Sequence, residues 1–159
     1  MILQVQEADF CVQTLYEKLQ VKNRAGAVVM FVGLVREFRE NVKGDSINID
    51  TANHCFELEH YAGMTEHNLQ QIIDEANQRW PLLEVCVVHR YGKLALNDQI
   101  VFVGVSSSHR TEAFLACDFI MDYLKSRAAF WKKETTSTGS QWVDARESDH
   151  DSLKRWESI

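Results

Sequence analysis

The sequence predicts a single-domain α+β fold, and three observations support that prediction. Its 159 residues are about the length of one domain. It is 45% hydrophobic and 25% charged, which is typical of a globular protein with its own core. Segments with helical spacing of apolar residues are interspersed with short β-rich runs. The resulting order (helix, strand, strand, helix, strand, strand, helix and a tail) favours α+β over a doubly wound parallel sheet.

The N-terminal third contains one predicted helix, one predicted strand and a polar stretch. Asp9 is placed to cap the helix, which belongs to an N-terminal segment of about residues 1–25. Its apolar residues at helical spacing are Val12, Leu15, Tyr16 and Leu19. The apolar run 27–32 is typical of a buried strand. Residues 37–54 are polar, and we expect an exposed loop or a ragged hairpin there.

The middle of the chain predicts a strand followed by a helix. The strand covers residues 55–61, where Phe56 and Leu58 alternate with glutamates. Thr65 is predicted to cap the helix, and Pro81 to stop it. The helix carries one apolar stripe, formed by Leu69, Ile72, Ile73, Ala76 and Trp80.

Two more strands and the strongest helix follow. The strands cover residues 85–89 and 100–105, joined by a short turn. The helix covers residues 112–125 and has a well-defined apolar face. That face is formed by Ala116, Phe119, Ile120, Tyr123 and Leu124. Residues from about 135 to 159 are polar and are predicted to form a C-terminal tail with few core residues.

Composition disfavours several classes of protein. The net charge of −6 argues against a general nucleic-acid binder, which is usually basic. No apolar run approaches the roughly 18–20 residues of a membrane helix, and the N-terminus lacks the pattern of a secretory signal. Cysteines 11, 55, 86 and 117 are widely spaced and contain no Cys-x-x-Cys pair. They are therefore predicted to be reduced and mostly buried thiols in a cytoplasmic protein.

Common metal and phosphate motifs are absent from the sequence. The six histidines form no His-x-x-x-His pair, and none lies at ligand spacing from a cysteine, so no metal site is predicted. There is neither a P-loop nor a dinucleotide-binding glycine motif. Serines 106–108 precede the strongest helix and are expected to cap it, leaving N–H groups that suit an anion.

One stretch of this acidic chain is locally positive. Residues 104–133 carry 5 basic and 3 acidic side chains. His109 and Arg110 lie at the predicted start of the strongest helix, Lys125 lies at its end, and Lys132 follows an aromatic pair. A lysine beside large apolar groups loses hydration and can act as an acid, a base or a nucleophile. On spacing alone, the commoner interpretation is that Lys125 neutralises the helix C-terminus and Lys132 is solvated.

Six blocks of the sequence, in order, resemble the large, catalytic subunit of molybdopterin synthase, from molybdenum-cofactor biosynthesis. The blocks are GAVVMFVGLVR (26–36), LEHYAGMTE (58–66), HRYGKL (89–94), GVSSSHR (104–110), FIMDYLKSRAAFWKKE (119–134) and WVDARESD (142–149). They span most of the chain from residue 26 onward, whereas residues 1–25 carry no motif of the family.

This resemblance implies an α/β-hammerhead-like fold with a mixed or antiparallel sheet, and a sulfur-transfer reaction. Such enzymes convert cyclic pyranopterin monophosphate (precursor Z) into molybdopterin with its dithiolene. The sulfur comes from the C-terminal thiocarboxylate of a small ubiquitin-like subunit, whose Gly-Gly tail enters a pocket on the large subunit. Two large subunits form a homodimer at the centre of a heterotetramer, and no cofactor is implied.

The resemblance also implies roles for individual residues. The lysine of the family's D-Y-L-K motif is Lys125, and that of its F-W-K motif is Lys132; both are expected to be catalytic. Lys125 would lie near the partner's terminal carbonyl, and Lys132 would be the second cation. Arg36, His109 and Arg110 match the family's pattern, and their side chains suit the cyclic phosphate of the substrate.

Four further residues are expected to contact the substrate. Lys133 and Glu134 match a substrate-contact segment of the family. Arg39 could replace or supplement Arg36, because the stretch after Arg36 departs from the family pattern and is longer than expected. Arg146, in the A-R-E-S-D block, could reach a pocket across the dimer.

The alternative function is a non-catalytic dimeric module that binds a ubiquitin-like partner and a phosphorylated ligand. The presence of both Lys125 and Lys132 favours the enzyme, because a pure binding module would not need both. Nucleic-acid binding would require an extended basic face with stacking aromatic residues. The cations of this sequence surround one helix end instead, which favours a small anionic substrate.

Overall fold

The computed structural model describes residues 1–36, 55–136, 139–143 and 152–157. The strands in these ranges are β1 (Ile2–Gln6), β2 (Ala27–Leu34), β3 (Cys55–His60), β4 (Leu82–Arg90), β5 (Gly92–Leu94), β6 (Gln99–Ser107), β7 (Phe130–Thr136) and β8 (Gly139–Val143). The helices are α1 (Val12–Leu19), α2 (Met64–Arg79), α3 (Arg110–Arg127) and the short 3-10 helix Ser152–Trp156. No helix in these ranges is long and apolar enough to cross a membrane.

The strands form two four-stranded sheets, which confirms the α+β prediction and the mixed or antiparallel strand arrangement. The first sheet has the order β1-β4-β6-β2, in which β1 is parallel to β4 and the other pairs are antiparallel. The second sheet has the order β5-β3-β7-β8 and is antiparallel throughout. Because β7 directly follows α3, that helix connects the first sheet to the second.

Helices cover both faces of the first sheet because β4 and β6 are apolar on both sides. Val85, Val87 and Val103 pack with α2 and α3 in the larger core cluster. Cys86, Val88 and Phe102 point to the other face and pack against α1. Alternation along a strand sends successive side chains to opposite faces, so two apolar faces require a nearly continuous apolar run.

The two longer helices confirm the predicted apolar faces, but the predicted cap of α2 was wrong. All five residues of the predicted α3 face are buried, as are the five of the α2 stripe. Helix α2 has Gly63 at its N-cap, where φ is 85°, a backbone conformation that suits glycine. Thr65 is instead buried inside the helix, and its hydroxyl donates to the carbonyl of Ala129 at 3.0 Å. The helix ends at Arg79, as Pro81 predicts.

The N-terminal segment differs from the prediction of a helix alone. Strand β1 precedes α1, and the N-cap of α1 is Cys11 rather than Asp9. The Asp9 carboxylate instead accepts from the backbone N–H of Phe10 at 2.8 Å and from Gln99 at 2.9 Å. The partner of β1 is β4, about 80 residues later, so its pairing could not be read from local sequence.

The predicted C-terminal tail also contributes to the fold. Strand β8 pairs with β7, and Trp156 is only 2% exposed in the larger core cluster. Strand β7 has the sequence FWKKETT and pairs on both edges, with β3 and β8. It was not predicted because its composition is polar. The polar stretch 37–54 lies outside the described residues, so the predicted loop or hairpin stays a prediction.

Candidate functional site

The predicted cation Lys125 lies at the end of a shallow depression between α3 and β2. Along α3 the lining residues recur at positions three and four apart, which places them on one side of the helix. Those residues include Phe114, Asp118, Met121, Asp122 and Lys125. Strand β2 supplies the opposite wall through Val29, Met30 and Phe31. The site therefore combines apolar walls with one cation and two carboxylates.

The Lys125 side chain is exposed in the last turn of α3. Within the described part of the chain, the structure shows no ion pair or hydrogen bond of its ammonium group. Asp122, three residues earlier, instead accepts from Arg155 and from the indole N–H of Trp156. Lys125 is therefore available to a ligand, although a helix C-terminus would stabilise its charge in any case.

The thiol of Cys117 borders the same depression but is not poised as a nucleophile. Its side chain is buried, and its Sγ lies 3.9 Å from the carbonyl oxygen of Val103. Burial, with a smaller contribution from the charge of Asp118, raises the pKa of the Cys117 thiol to about 12. The thiol is thus protonated at neutral pH, and thiolates rather than thiols carry sulfur chemistry. Sulfur transfer at this depression calls for a sulfur atom from outside it.

Arg36 lies at the same end of the fold as Lys125. It follows Val35, which is buried and exchanges backbone hydrogen bonds with the turn before β6, at 2.9 Å and 2.8 Å. Because α3 folds back from the end of β6, it runs antiparallel to β6 and in the same direction as β2. The C-terminal ends of β2 and α3 therefore come together. The exposed Arg36 is anchored there through its neighbour.

A ring stack supports this placement. His89 of β4 stacks on Phe130, just beyond α3, with ring centroids 3.7 Å apart. His89 pairs with Val101 of β6, and Val101 pairs with Gly33 of β2. Phe130 thus lies over the end of the first sheet from which Arg36 emerges.

His109 and Arg110 lie at the opposite end of α3. His109 is the N-cap and Arg110 the first residue of the helix, and both side chains are exposed. Arg110 and Lys125 are fifteen residues apart on one helix, which corresponds to about 22 Å along its axis. Within one chain, the structure does not bring these predicted anion ligands to Lys125.

The prediction that serines 106–108 cap α3 is wrong. Ser106 and Ser107 are the last residues of β6 and are buried. The Ser107 hydroxyl donates to the carbonyl of Pro81 at 3.1 Å, and no side chain caps α3. The N-terminus of α3 therefore carries the exposed side chains of His109 and Arg110 and no capping hydroxyl.

The second lysine of the predicted site lies on the central strand β7 of the second sheet. In backbone register, Lys132 is opposite Leu58 of β3, Lys133 is opposite Glu57, and Glu134 is opposite Phe56. Lys133 is partly buried, and a glutamate directly across an antiparallel pair favours its charge. Arg39 and Arg146 lie outside the described residues, so their roles stay predictions.

Helix α2 fixes the turn that separates Lys125 from β7. The hydroxyl of Thr65 donates to the carbonyl of Ala129, and the side-chain amide of Asn68 donates to the carbonyl of Arg127 at 3.1 Å. Two polar side chains of α2 thus hold the carbonyls at the end of α3. These two hydrogen bonds fix the turn between the helix that carries Lys125 and the strand that carries Lys132.

Sequence reasoning missed the apolar part of the site. Phe31 is 41% exposed on β2, and Phe114 is 62% exposed on α3. The sequence did contain a signal for this surface, because Phe114 is a large apolar residue outside the apolar face that packs α3 into the core. Large exposed apolar side chains grouped together mark a binding surface more often than isolated ones do.

Comparisons with known proteins point to one family. The sequence profile of the family described as "MoaE protein" matches residues 5–127. A Vibrio cholerae relative named molybdopterin synthase catalytic subunit is 53% identical over 155 residues, 96% of each chain. A Burkholderia ambifaria structure, described as a molybdopterin biosynthesis MoaE protein, has a TM-score of 0.79 and 44% identity, covering 98% of this chain and 97% of its own. A Helicobacter pylori structure, described as a protein-protein complex of subunits 1 and 2 of molybdopterin-converting factor, shares the fold with a TM-score of 0.72, at 15% identity over 92% of each chain.

These matches also include most of the N-terminal segment, residues 1–25. The family profile begins at residue 5, so most of residues 1–25 lies within the family even though no short motif marks it. Full-length similarity at 53% identity and the shared fold lead to one conclusion. The chain belongs to the MoaE protein family, whose curated relatives are named molybdopterin synthase catalytic subunit.

Proposed function

We propose that this protein is the catalytic subunit of a molybdopterin synthase and acts as a sulfurtransferase. It takes sulfur from the C-terminal thiocarboxylate of a small ubiquitin-like subunit and delivers it to cyclic pyranopterin monophosphate. The observation that carries the proposal is an exposed Lys125 that forms no ion pair with the described residues, at the end of a depression with apolar walls. Membership of the MoaE family, whose curated relatives are named molybdopterin synthase catalytic subunit, supports the proposal.

Lys125 supplies positive charge where the reaction develops negative charge. The thiocarboxylate sulfur bonds to a substrate carbon as the oxygen that it replaces leaves as phosphate or water, which gives a thioester. Water then attacks the acyl carbon and the acyl–sulfur bond breaks, so negative charge builds on the acyl oxygen and on the sulfur left on the substrate. A lysine ammonium beside that carbonyl stabilises the charge and can return a proton to the sulfur. The partner subunit then leaves with an ordinary carboxylate. The buried, protonated Cys117 takes no part in these steps.

The apolar walls suit the tail of a protein partner. Phe31 and Phe114 are exposed in the depression that ends at Lys125, and burying such side chains against a partner stabilises a complex by roughly 25 cal/mol for each Å² removed from water. A C-terminal tail with small residues fits a shallow depression better than bulky side chains do. The Helicobacter pylori protein of the same fold is described as a complex of two subunits, which agrees with a partner of this kind.

A substrate phosphate suits more cations than the described residues of one chain bring to Lys125. Arg36 lies at the Lys125 end of the fold, and we assign Lys132 to the same site because it matches the lysine of the family's F-W-K motif. His109 and Arg110 lie about 22 Å away along α3, so we assign them to the site of a second copy of the chain. A central homodimer then has two equivalent sites, each completed by the other protomer. With one small subunit bound at each end, the assembly is a heterotetramer.

Mixing two inactive variants is expected to restore activity if the site is shared between protomers. Lys125→Ala and Arg110→Ala proteins are unfolded together, refolded and assayed with the partner. In a mixed dimer one site has lost both residues and the other has lost neither, so random pairing returns about a quarter of the wild-type activity. Separately refolded variants that are mixed afterwards are the control. Activity no higher than that of this control would contradict the shared site.

Reconstitution distinguishes the proposed enzyme from a non-catalytic binding module. The purified protein is combined with thiocarboxylated small subunit and precursor Z, and the dithiolene product is measured together with binding of both ligands. We expect stoichiometric product formation, limited by the thiocarboxylate supplied. Binding of both ligands without any dithiolene product would overturn the enzymatic proposal in favour of the binding module.

A further inference from the structure

The C-terminal 3-10 helix is attached to the Lys125 face of α3 through Arg155. The guanidinium of Arg155 donates to the Asp122 carboxylate from Nε at 2.9 Å and from Nη2 at 2.5 Å. The same Nη2 lies 2.8 Å from the Asp118 carboxylate. The indole N–H of Trp156 adds a third hydrogen bond to Asp122, at 2.8 Å. One arginine thus engages two carboxylates that belong to the lining of the depression.

Asp122 is the natural intrahelical partner of Lys125, and Asp118 lies one turn further along the same side of α3. Asp118, Asp122 and Lys125 are spaced four and three residues apart, so they lie on one side of α3. Acidic and basic residues three or four positions apart on a helix attract each other, and the order with the acid first is the better one. The rest of the lining on α3 and β2 is apolar, so among the described residues of the depression only these carboxylates can attract Lys125.

We propose that Arg155 is a positioning residue that keeps the Lys125 ammonium free by occupying Asp122, while its contact with Asp118 holds the guanidinium in place. An arginine suits this role because its planar fork holds two carboxylates at once and its charge is permanent. The observed geometry agrees with this role. Asp122 already accepts three hydrogen bonds, and among the described residues Lys125 donates none to this cluster. The inference rests on the proposed catalytic role of Lys125. It extends that role to a segment far away in the sequence.

Removing Arg155 has two opposite consequences that an experiment can separate. If the arginine only ties down the C-terminal segment, its loss loosens α3 and exposes Lys125 further. If it shields Lys125 from the carboxylates, its loss lets Asp122 bind the ammonium and makes Lys125 less reactive. The reactivity of the Lys125 amine therefore changes in opposite directions under the two interpretations.

The test is competitive acylation of full-length protein with a limiting amine-reactive ester, followed by peptide mass spectrometry. In Arg155→Gln, labelling of Lys125 relative to Lys18 is expected to fall by about twofold to fivefold, the effect of one partly exposed ion pair. High salt should reverse the loss, since it screens that pair. The triple variant Arg155→Gln, Asp118→Asn, Asp122→Asn should label like the wild type. Lys22→Gln, which removes the same charge beyond α1 on the opposite face of the first sheet, should leave Lys125 labelling unchanged.

The outcomes separate this inference from the proposed function. Unchanged or increased labelling of Lys125 in Arg155→Gln would overturn the shielding role while leaving sulfur transfer by the wild type intact. In the synthase assay, Arg155→Gln should lower kcat by a similar factor with little change in the KM for precursor Z. Full activity of Lys125→Ala would instead overturn the catalytic assignment, whatever the labelling result. A kcat that is lowered without any change in labelling would also contradict shielding.

Discussion

Replacing Lys125 by alanine is expected to lower the rate of sulfur transfer by about two to four orders of magnitude, the usual contribution of a positioned acid or base. The alanine removes the ammonium that faces the developing charge on the partner's terminal carbonyl. The measurement is single-turnover formation of dithiolene from thiocarboxylated partner and precursor Z. Because the Lys125 side chain is exposed, the free energy of unfolding should change by no more than about 0.5 kcal/mol.

Two further variants make this result interpretable. Lys18→Ala removes the lysine in the last turn of α1, which packs on the opposite face of the first sheet, and should leave the rate unchanged. Lys125→Arg keeps the charge but cannot release a proton at neutral pH, so it should retain electrostatic stabilisation without proton transfer. A Lys125→Ala rate within a factor of two of the wild type would exclude a catalytic role for this lysine.

Replacing Trp156 by alanine is expected to reduce the free energy of unfolding by about 3–5 kcal/mol, as for other large buried aromatic side chains. Its ring is 2% exposed and meets Trp80 and Phe119 edge to face, with centroids 5.9 Å and 5.4 Å apart. Its indole N–H donates to Asp122. The loss therefore combines a cavity in the core with the removal of one of the three hydrogen bonds to Asp122, and urea denaturation followed by circular dichroism measures it.

Trp131 provides a matched control for this prediction. It is the same residue type but is 48% exposed on β7, so Trp131→Ala should cost less than about 1 kcal/mol. Trp156→Phe keeps most of the ring and loses the hydrogen bond to Asp122, so its cost should lie between the two alanine variants. Equal stability losses for the two alanine variants would show that Trp156 is not part of the core.

Elements with strong local patterns were predictable from sequence, and elements defined by distant pairing were not. The apolar stripes of α2 and α3 repeat over two to three turns, and every residue predicted to belong to them is buried. Strands β1 and β8 are five residues each and acquire their structure from β4 and β7. Five residues of mixed polar and apolar character do not indicate which distant strand they pair with. The burial of Trp156 was missed for the same reason, because its neighbours in sequence are polar.

The candidate site divides in a similar way. The cation Lys125 could be named from the family motif, and its position at the end of α3 followed from helical periodicity. The opposite location of His109 and Arg110 also followed in principle, since fifteen residues of helix separate them from Lys125. The apolar walls and the Arg155 cluster could not be predicted. They depend on how α3 lies against β2 and on where the C-terminal segment packs.

The strand order of the first sheet has a consequence for how the chain assembles. Its two edge strands, β1 and β2, come first in the sequence, while the two central strands that receive them, β4 and β6, come later. During synthesis, β2 has no partner until the chain has been made through Ser107, the residue that pairs with Ala27. Long-range pairing of this kind slows folding, since distant segments must meet before any contact stabilises them. The apolar N-terminal strands are therefore the segments for which a chaperone has the longest time to act.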